Sequence, residues 1–444
     1  MRIAIVCANT VEFDSRLRRT ATALADDGHT VTLIGFAAPG LAAREPLPGR
    51  PDVAIVRVDL ERSVSAAFRP LPGPVRAALA RVLGIDPTAT VLPPLTARGW
   101  RRVPGLLGRG VEILAIIRRT GAWTAAVAAA APDAQVFQGQ ALISLPVVRA
   151  AARRTRGRFV YDMADLHTEA ARLARMPAWF RRLVRGREAG WVREAAAVMA
   201  ASDGMADEAV RWFGITRPTV VLNTPPAWRP GEALPVVEDR LRPAAGLAAG
   251  RTVILYQGGF SEDRGLEALV AALDAPALRD RPVTAVFLGY GRLHAWLLAE
   301  SARRPGRLAV LDAVPSDDLP GWTVSADVGY VGVPPSTLNH RLTLANKLFE
   351  FMMAGLPVVV SEGTEHCRLV RAEGLGACVD LGSPDAVAAA IAGILDASPQ
   401  QRDDLRRHVR AVALERYAWE ARRGTLVGLY RRLATSGPLR DRPA

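Results

Sequence analysis

The chain has 444 residues, half of them hydrophobic. This length exceeds a single core and suits two domains of about 200 residues each, and the composition excludes a disordered protein. The longest small apolar stretch, around residues 125–131, is far shorter than the roughly 20 residues that span a bilayer, so we expect no membrane-spanning segment.

The net charge of +13 comes from one half of the chain. Residues 1–230 contain 32 arginines and 19 acidic residues, whereas the remaining 25 basic and 25 acidic residues of 231–444 cancel. A basic half favours contact with an anionic surface or acceptor, and the alternative is an arginine-rich soluble surface without a partner. No nucleic-acid recognition motif accompanies the charge, so we expect no nucleic-acid partner.

The three cysteines have no metal-ligand spacing and cannot all pair with one another. This pattern is typical of a reducing cytoplasm, and we therefore expect a cytoplasmic protein. No cluster of metal ligands occurs in the sequence, and we expect neither a metal nor another cofactor.

Strands and helices are predicted to alternate along the chain. Residues 2–7 form a buried strand, 16–27 a helix that ends at Gly28, and 29–35 a second strand. Further strands are expected at 53–58, 134–137, 159–162, 252–256, 283–288, 308–311, 328–331 and 357–360. The pattern predicts an α/β fold of two Rossmann-like, doubly wound parallel-sheet domains, residues 1–227 and 251–416, with a Pro- and Gly-rich linker at 228–250.

Residues 170–194 interleave arginines with apolar and aromatic residues. Such a basic amphipathic pattern is typical of helices that lie at a membrane surface. The alternative is a helix whose apolar face packs on the sheet, because every helix of this fold must be amphipathic. The sequence alone leaves both interpretations open.

Lys347 is the only lysine among 57 basic residues. Lysine is a compact point charge, whereas arginine is a bulky planar fork, so a site that packs an ammonium group against a phosphate can reject arginine. Lys347 and Glu350 share one face of a predicted helix. They are either a surface pair or, at a ligand crevice, a phosphate-binding amine and a ribose-binding carboxylate.

Two glycine-rich loops follow predicted strands of the second domain. Gly258 and Gly259 precede Arg264, and Gly289 and Gly291 follow the next strand. In open parallel sheets ligands bind beyond the carboxyl ends of the strands, where glycines allow close approach and helix N-termini attract phosphate. These loops and Lys347 therefore predict an anion site in the second domain.

The segment Asn346–Val359 resembles the donor-site signature of family 4 glycosyltransferases, which have the GT-B fold and retain anomeric configuration. Tyr256–Gly259 with Arg264, the Gly289–Gly291 loop and the terminal segment that begins at Tyr417 resemble further elements of that family. The resemblance implies two Rossmann-like domains facing across a cleft, with a C-terminal helix at 417–436 that completes the first, acceptor-side domain. It also implies metal-independent transfer of a sugar from a nucleotide-diphosphate donor to an acceptor hydroxyl, in cell-surface glycan or glycolipid synthesis.

The resemblance also assigns roles to individual residues. Lys347, Arg264 and Glu350 are the expected catalytic residues. The expected donor-binding residues are Gly258, Gly259, Gly289, Gly291, Asn346 and Leu348. The expected acceptor-side residues are Arg16, Asp162, Asp165 and His167. The acceptor is a glycan or a lipid-linked glycan, with peripheral contact to the inner face of an anionic membrane.

The chain departs from the family pattern on the acceptor side. Leu342 stands where many members have a first glutamate, and Ala164 stands where a histidine is common, with His167 as a substitute. These departures leave open a catalytically silent protein that binds nucleotide sugar or a partner enzyme. A sugar-nucleotide epimerase on the same architecture is a further alternative.

Overall fold

The structure is a computed structural model that describes residues 1–12, 14–60, 119–235 and 238–435. Residue 436, the last of the predicted terminal helix, lies outside the described residues. The first-domain strands are β1 (Arg2–Val6), β2 (Thr30–Phe36), β3 (Arg44–Leu47), β4 (Arg50–Val58), β5 (Val136–Gln140), β6 (Arg158–Met163), β7 (Ala197–Ala200) and β8 (Thr219–Val220). The second-domain strands are β9 (Thr252–Phe260), β10 (Val283–Gly291), β11 (Leu308–Asp312), β12 (Val328–Val331), β13 (Val358–Ser361) and β14 (Gly376–Val379).

Helices connect these strands. In the first domain they are α1 (Ser15–Asp26), α2 (Ala141–Thr155), α3 (Ala171–Ala174), α4 (Ala178–Val192) and α5 (Asp203–Phe213), with residues 119–130 also helical. The linker and second domain contain α6 (Leu241–Ala244), α7 (Leu266–Ala272), α8 (Pro276–Arg279), α9 (His294–Arg303), α10 (Leu319–Thr323), α11 (Leu338–Leu342), α12 (Asn346–Met353), α13 (Glu365–Glu373), α14 (Pro384–Leu395) and α15 (Pro399–Val412). The C-terminal helix is α16 (Trp419–Thr435).

The described residues form two sheets. The first has the strand order β3-β4-β2-β1-β5-β6-β7-β8, and every neighbouring pair is parallel except the β3–β4 hairpin. The second has the order β11-β10-β9-β12-β13-β14 and is parallel throughout. The central strands β1, β9, β10 and β13 are buried along almost their whole length, because helices cover both faces of each sheet. The prediction of two doubly wound α/β domains is confirmed.

The C-terminal helix returns to the first domain. Leu426, Leu429, Tyr430 and Leu433 of α16 pack in one core with β1 and α1. The Tyr430 hydroxyl donates a hydrogen bond of 2.6 Å to Gln138 Oε1 in the middle of β5. The chain thus crosses from the first domain to the second through the linker and returns to the first domain with α16. These two crossings connect the domains.

The carboxyl ends of the two sheets face each other. Leu166 follows β6, and its N–H donates a 2.7 Å hydrogen bond to Asn339 Oδ1 of α11 in the second domain. Ser202 follows β7, and its hydroxyl donates to the carbonyl oxygen of Leu342. Both contacts join loops beyond the strand ends, so the edges at which parallel sheets bind ligands enclose one cleft.

Cys367 and Cys378 form a disulfide between α13 and β14, and Cys7 is a free, buried thiol. The cysteines therefore no longer argue for a reducing compartment. Among the described residues, no helix is long and apolar enough to cross a bilayer.

Candidate active site

The predicted glycine loops of the second domain lie on extended, paired strand ends. β9 continues to Phe260 rather than ending near Tyr256, and Gly258 pairs with Gly289 of β10. A Cβ atom on Gly289 would lie 2.0 Å from the carbonyl oxygen of Gly258, so no side chain fits at this crossing. The glycines leave the ends of two neighbouring strands bare at the cleft.

Lys347 projects from the first turn of α12 onto the end of β9. Its Nζ atom lies 3.7 Å from the centroid of the Tyr256 ring, within cation–π distance. A Cβ atom on Gly258 would lie 3.4 Å from the same Nζ atom, so the ammonium group lies beside bare backbone. The planar fork of an arginine would not occupy this space without displacing Tyr256 or β9.

Lys347 and Arg264 are two cations that form no ion pair with a carboxylate among the described residues. Arg264 ends a 3₁₀ turn directly after β9. Within the described parts of the chain, neither side chain has an acidic oxygen within 4.0 Å of its nitrogens. The pKa of Lys347 is held well below its usual value, first by burial and then by the charge of Arg264, while Glu350 opposes the shift. An arrangement of this kind is typical of a site for a polyvalent anion.

Glu350 lies one turn after Lys347 and is held by a chain of hydrogen bonds. Gln257 Nε2 donates to Glu350 Oε2 at 2.6 Å, and the Thr323 hydroxyl donates to Gln257 Oε1 at 2.8 Å. Burial raises the pKa of Glu350, while Gln257, Lys347 and Arg19 act in the opposite direction. One carboxylate oxygen is thus fixed by Gln257, and this orients the other.

The start of α12 offers backbone donors to an anion. No side chain caps this eight-residue helix, and the first N–H groups of a helix lack intrahelical partners. The N–H of Ala345, just before the helix, donates to Nε2 of the buried His366 at 2.8 Å. The pKa of His366 is lowered to about 3, first by burial and then by the charges of Lys347 and Arg264. His366 is therefore a neutral acceptor that anchors the residue preceding α12.

The remaining predicted donor residues separate into two groups. Asn346 is half-buried and opens α12, and Gly259 is exposed beside Gly258, so both lie at the cleft. The Leu348 side chain is fully buried in the core, and its N–H bonds to the carbonyl oxygen of Ala345. The buried Leu348 side chain packs α12 against the core, and its assignment as a donor-binding residue stays a prediction.

Arg16 and Asp162 form a buried structural pair rather than an open acceptor contact. Arg16 donates to both carboxylate oxygens of Asp162, at 2.7 and 3.0 Å, and to the carbonyl oxygen of Val221 at 2.8 Å. Gln138 connects Asp162 to Tyr430 of the C-terminal helix. The network joins α1 to β5, β6 and α16, and to the carbonyl oxygen that follows β8. Both charged groups, the Arg16 guanidinium and the Asp162 carboxylate, therefore have partners inside the first domain.

Asp165 and His167 lie between β6 and the second domain, and their acceptor-side role stays a prediction. Asp165 Oδ1 accepts a 3.0 Å hydrogen bond from Asn339 of the second domain. His167 Nδ1 lies 2.9 Å from the carbonyl oxygen of Asp165, and because a carbonyl can only accept, Nδ1 carries the proton. Burial lowers the pKa of His167, with Asp165 opposing, so the ring is neutral and Nε2 has a free lone pair.

The family departure at Leu342 has a structural explanation. A Cβ atom on Gly204 of the first domain would lie 2.8 Å from Leu342 Cδ2, and the Leu342 carbonyl accepts from Ser202. Leu342 therefore forms a tight contact between the domains in place of a carboxylate.

Two residues at the site carried no sequence signal that singled them out. They are His366 and Arg19. Arg19, from the first domain, has its pKa lowered to about 10 by burial, and the nearby Glu350 carboxylate opposes this shift. Its position beside a second-domain carboxylate depends on how the domains dock, which local sequence does not reveal.

The backbone is strained where β1 and β5 end at the cleft. Val11 has φ 73° and Ala141 has φ 67°, in a region that residues with a side chain rarely adopt. Val11 is β-branched and buried, and its N–H is held by Asn9 Oδ1 at 2.8 Å. Strain of this kind clusters at ligand sites.

No group of three or more metal-ligand side chains occurs among the residues that the structure describes. The charge at the site comes instead from Lys347, Arg264 and Arg19.

Comparison with known proteins agrees with this geometry. Residues 251–397 match the family model described as Glycosyl transferases group 1. A search of curated proteins by sequence finds no match.

Solved structures of glycosyltransferase type share the whole fold. Sucrose-phosphate synthase (tll1590) from Thermosynechococcus elongatus superposes with a TM-score of 0.72 at 18% identity, covering 98% of this chain and 100% of that one. Anabaena Alr3699/HepE in complex with UDP and glucose gives 0.62 at 16% identity, covering 98% of both chains. A trehalose-6-phosphate protein from E. coli, bound with UDP-2-fluoro glucose, gives 0.65 at 13% identity, covering 99% of this chain and 100% of that one. Residues 251–397 are thus similar to the group 1 glycosyl transferases, and the chain as a whole has the GT-B fold.

Proposed function

We propose that this protein is a retaining glycosyltransferase that moves a sugar from a nucleoside-diphosphate donor to a hydroxyl of a glycan or lipid-linked acceptor. The observation that carries the proposal is the pair of cations, Lys347 and Arg264, which form no ion pair within the described residues and lie beside an uncapped helix N-terminus. A diphosphate is the polyvalent anion that fits such a site, and Glu350 is placed to accept the hydroxyls of a ribose. Structural neighbours bound to UDP and UDP-sugar support UDP as the first nucleotide to test.

The chemistry follows from where charge develops. When the bond between sugar and phosphate breaks, the departing diphosphate gains negative charge. Lys347, Arg264 and the first N–H groups of α12 stabilise that charge more in the transition state than in the ground state. This cationic set performs the charge stabilisation that a metal ion supplies in other transferases.

On the acceptor side, His167 is the group best placed to bind an acceptor hydroxyl. Its Nδ1–H is committed to the Asp165 carbonyl oxygen, so Nε2 can only accept a hydrogen bond. Asp165 is itself held by Asn339 of the donor domain. Docking of the two domains therefore orients the acceptor region relative to the donor.

Nuclear magnetic resonance of the product tests this proposal. The protein is incubated with intact nucleotide sugars and a panel of soluble glycan and lipid-linked acceptors. We expect transfer with the anomeric configuration of the donor. Transfer with inversion would contradict the mechanism, and nucleotide binding without transfer to any acceptor would favour a silent binding protein. Formation of an epimerised nucleotide sugar without acceptor would indicate an epimerase.

The α4 helix supports the further proposal that the first domain contacts an anionic membrane at the inner face of the cell membrane. Trp179 and Leu183 are 66% and 64% exposed, and Gly186 and Gly190 extend the same outward stripe. The inward face carries Ala189 and Val192 in the core, together with the buried Glu188, which accepts a 2.8 Å hydrogen bond from the Tyr161 hydroxyl. The outward face exposes a tryptophan and a leucine, residues that a packed helix ordinarily turns inward.

Cations flank this outward stripe. Arg175, Arg182 and Arg187 are exposed, and within the described residues none of them forms an ion pair. The inward-facing Arg181 and Arg185, by contrast, both bind Glu169. Exposed aromatic and aliphatic residues between unpaired arginines match the boundary between anionic headgroups and acyl chains.

Vesicle flotation tests the membrane proposal. We expect the protein to float with vesicles that contain phosphatidylglycerol but not with pure phosphatidylcholine, and the bound fraction to fall with added salt. Trp179→Ala with Leu183→Ser should abolish flotation, whereas Leu298→Ser, at an exposed leucine of the second domain, should not. Equal flotation of both variants, or none by the wild type, would contradict the proposal.

A further inference from the structure

A cavity of about 230 Å³ lies on the second domain away from the donor site. Three of its lining residues stand at the amino ends of strands: Thr252 begins β9, and Asp327 and Pro357 immediately precede β12 and β13. The donor site lies at the opposite, carboxyl ends of the same strands. The two sites are therefore separated by the length of the strands, at opposite ends of the sheet.

Arg402 and Arg406 of α15 line this cavity one helical turn apart. In the described part of the chain neither guanidinium group makes an ion pair or a side-chain hydrogen bond, and Nε of Arg406 is buried without a partner. On the same helix Arg407 is bound by Asp404 at 2.7 Å. Two like charges one turn apart repel each other. Since no acidic side chain among the described residues offsets this repulsion, a bound anion from outside the chain would stabilise the pair.

The acidic residues at the cavity do not cancel these arginines. Asp327 is neutralised by Arg242 of α6 at 2.5 Å and accepts from the N–H of Val253 at 2.7 Å. Asp403 is exposed. The rest of the wall is largely apolar and comprises Pro357, Ile394, Leu395, Pro399 and Leu405. The cavity thus combines two guanidinium groups without acidic partners among the described residues with an apolar wall, against which the carbon skeleton of a small molecule can pack.

We propose that this cavity binds a small phosphomonoester, of the size of a sugar phosphate. Arg402 and Arg406 hold the phosphate through the paired donors of their planar guanidinium groups. The body of the ligand lies against the apolar wall, with Asp403 available to accept its hydroxyls. The cavity is too small for a nucleotide sugar, so this ligand is distinct from the donor.

The position of α15 gives such a ligand a route to the rest of the molecule. Arg410 lies one further turn along the same helix face and is fully buried. It donates to the carbonyl oxygens of Trp228 and Glu232 in the linker, each at 2.7 Å, and to that of Met353 at the end of α12. A phosphate bound by both Arg402 and Arg406 therefore restrains α15, which is hydrogen-bonded through Arg410 to the linker and to α12.

Isothermal titration with glucose 6-phosphate tests the proposal in a Lys347→Ala, Arg264→Gln background, in which the donor site has lost its cations. We expect binding to persist in this background, and glucose itself not to bind. Adding Arg402→Gln or Arg406→Gln should weaken binding about tenfold or more, because each removes a charge-assisted hydrogen bond. Arg407→Gln is the matched control and should bind like the parent.

Absence of binding in the background variant would overturn the proposal, as would unchanged binding after both Arg402→Gln and Arg406→Gln. Far-ultraviolet circular dichroism and the unliganded Tm of each variant show that the fold is intact. Arg402 is half-exposed, so its substitution tests the site even if Arg406→Gln destabilises α15. The titration uses no donor and no acceptor, and its outcome is independent of the proposed transferase activity.

Discussion

The two domains each place a buried cation near the cleft, but they treat its charge in opposite ways. In the first domain Arg16 is fully satisfied by the Asp162 carboxylate and a carbonyl oxygen. In the second, Lys347 lies over an aromatic ring with another cation nearby and without an ion pair among the described residues. A satisfied charge holds a fold together, whereas an unsatisfied one costs stability and is retained for a ligand. By this comparison we expect Arg16 to matter for stability and Lys347 to matter for ligand binding.

Replacing Arg16 should produce the largest effect. Arg16→Ala leaves Asp162 as an uncompensated buried charge and should lower the free energy of unfolding by about 3–5 kcal/mol. Urea denaturation measures this free energy of unfolding. The control is Arg18→Ala on the same helix, which should stay within about 0.5 kcal/mol of wild type. A loss below about 1 kcal/mol from Arg16→Ala would show that the network does not hold the first domain together.

Replacing Lys347 should impair turnover instead of stability. Loss of a charge-assisted hydrogen bond of about 1.5–3 kcal/mol should slow transfer roughly 10- to 150-fold. Lys347→Arg should be impaired to a similar degree, because the space between Tyr256 and Gly258 fits an ammonium group. Steady-state kinetics of sugar transfer measure both effects, and Arg341→Ala, at an exposed arginine, is the control that should keep the wild-type rate. Full activity of Lys347→Arg would mean that charge alone, not its shape, is required.

The sequence predicted the fold well, whereas the residues assigned to the donor and acceptor sides stay predictions. β-α-β alternation and glycines after strands are local signals, and the Lys347 region carries a long contiguous signature. Arg16 and Asp162 were assigned to the acceptor side, yet they are 146 residues apart and pair inside the core. Whether a charged residue meets a partner depends on long-range docking, which local patterns do not encode. For the same reason Arg19 and His366 were missed.

A smaller effect is expected at His167. Loss of one neutral hydrogen bond of about 1 kcal/mol should slow transfer about five- to tenfold in His167→Ala. Because the folded pKa of His167 is lowered below 6.5, its neutral form persists to lower pH than in a free histidine. Wild-type turnover should therefore fall only below pH 6.5, as the ring becomes protonated, and the variant should lack this acid limb. An identical acid limb in His167→Ala would exclude the assigned role.

The smallest effect concerns stability without ligand. The folded state binds a proton at Lys347 less readily than the unfolded state does, because its pKa is lowered. The protonated lysine therefore destabilises the fold below its folded pKa, and stability is regained as pH rises towards 10.5. Lys347→Met should be slightly more stable than wild type at pH 7, with the difference shrinking at higher pH. Chemical denaturation across this range measures it, and a less stable variant at pH 7 would contradict the sign.

The most direct test of the central claim is calorimetric titration of UDP, GDP, ADP, TDP and CDP into wild type and Lys347→Ala. The unsatisfied cations of the second domain predict that at least one nucleoside diphosphate binds the wild type, with affinity that falls as salt rises. Lys347→Ala should lose about tenfold or more of that affinity while its fold stays intact. Equal affinity of the two proteins for every nucleotide that binds would contradict the assignment of Lys347 to a diphosphate site.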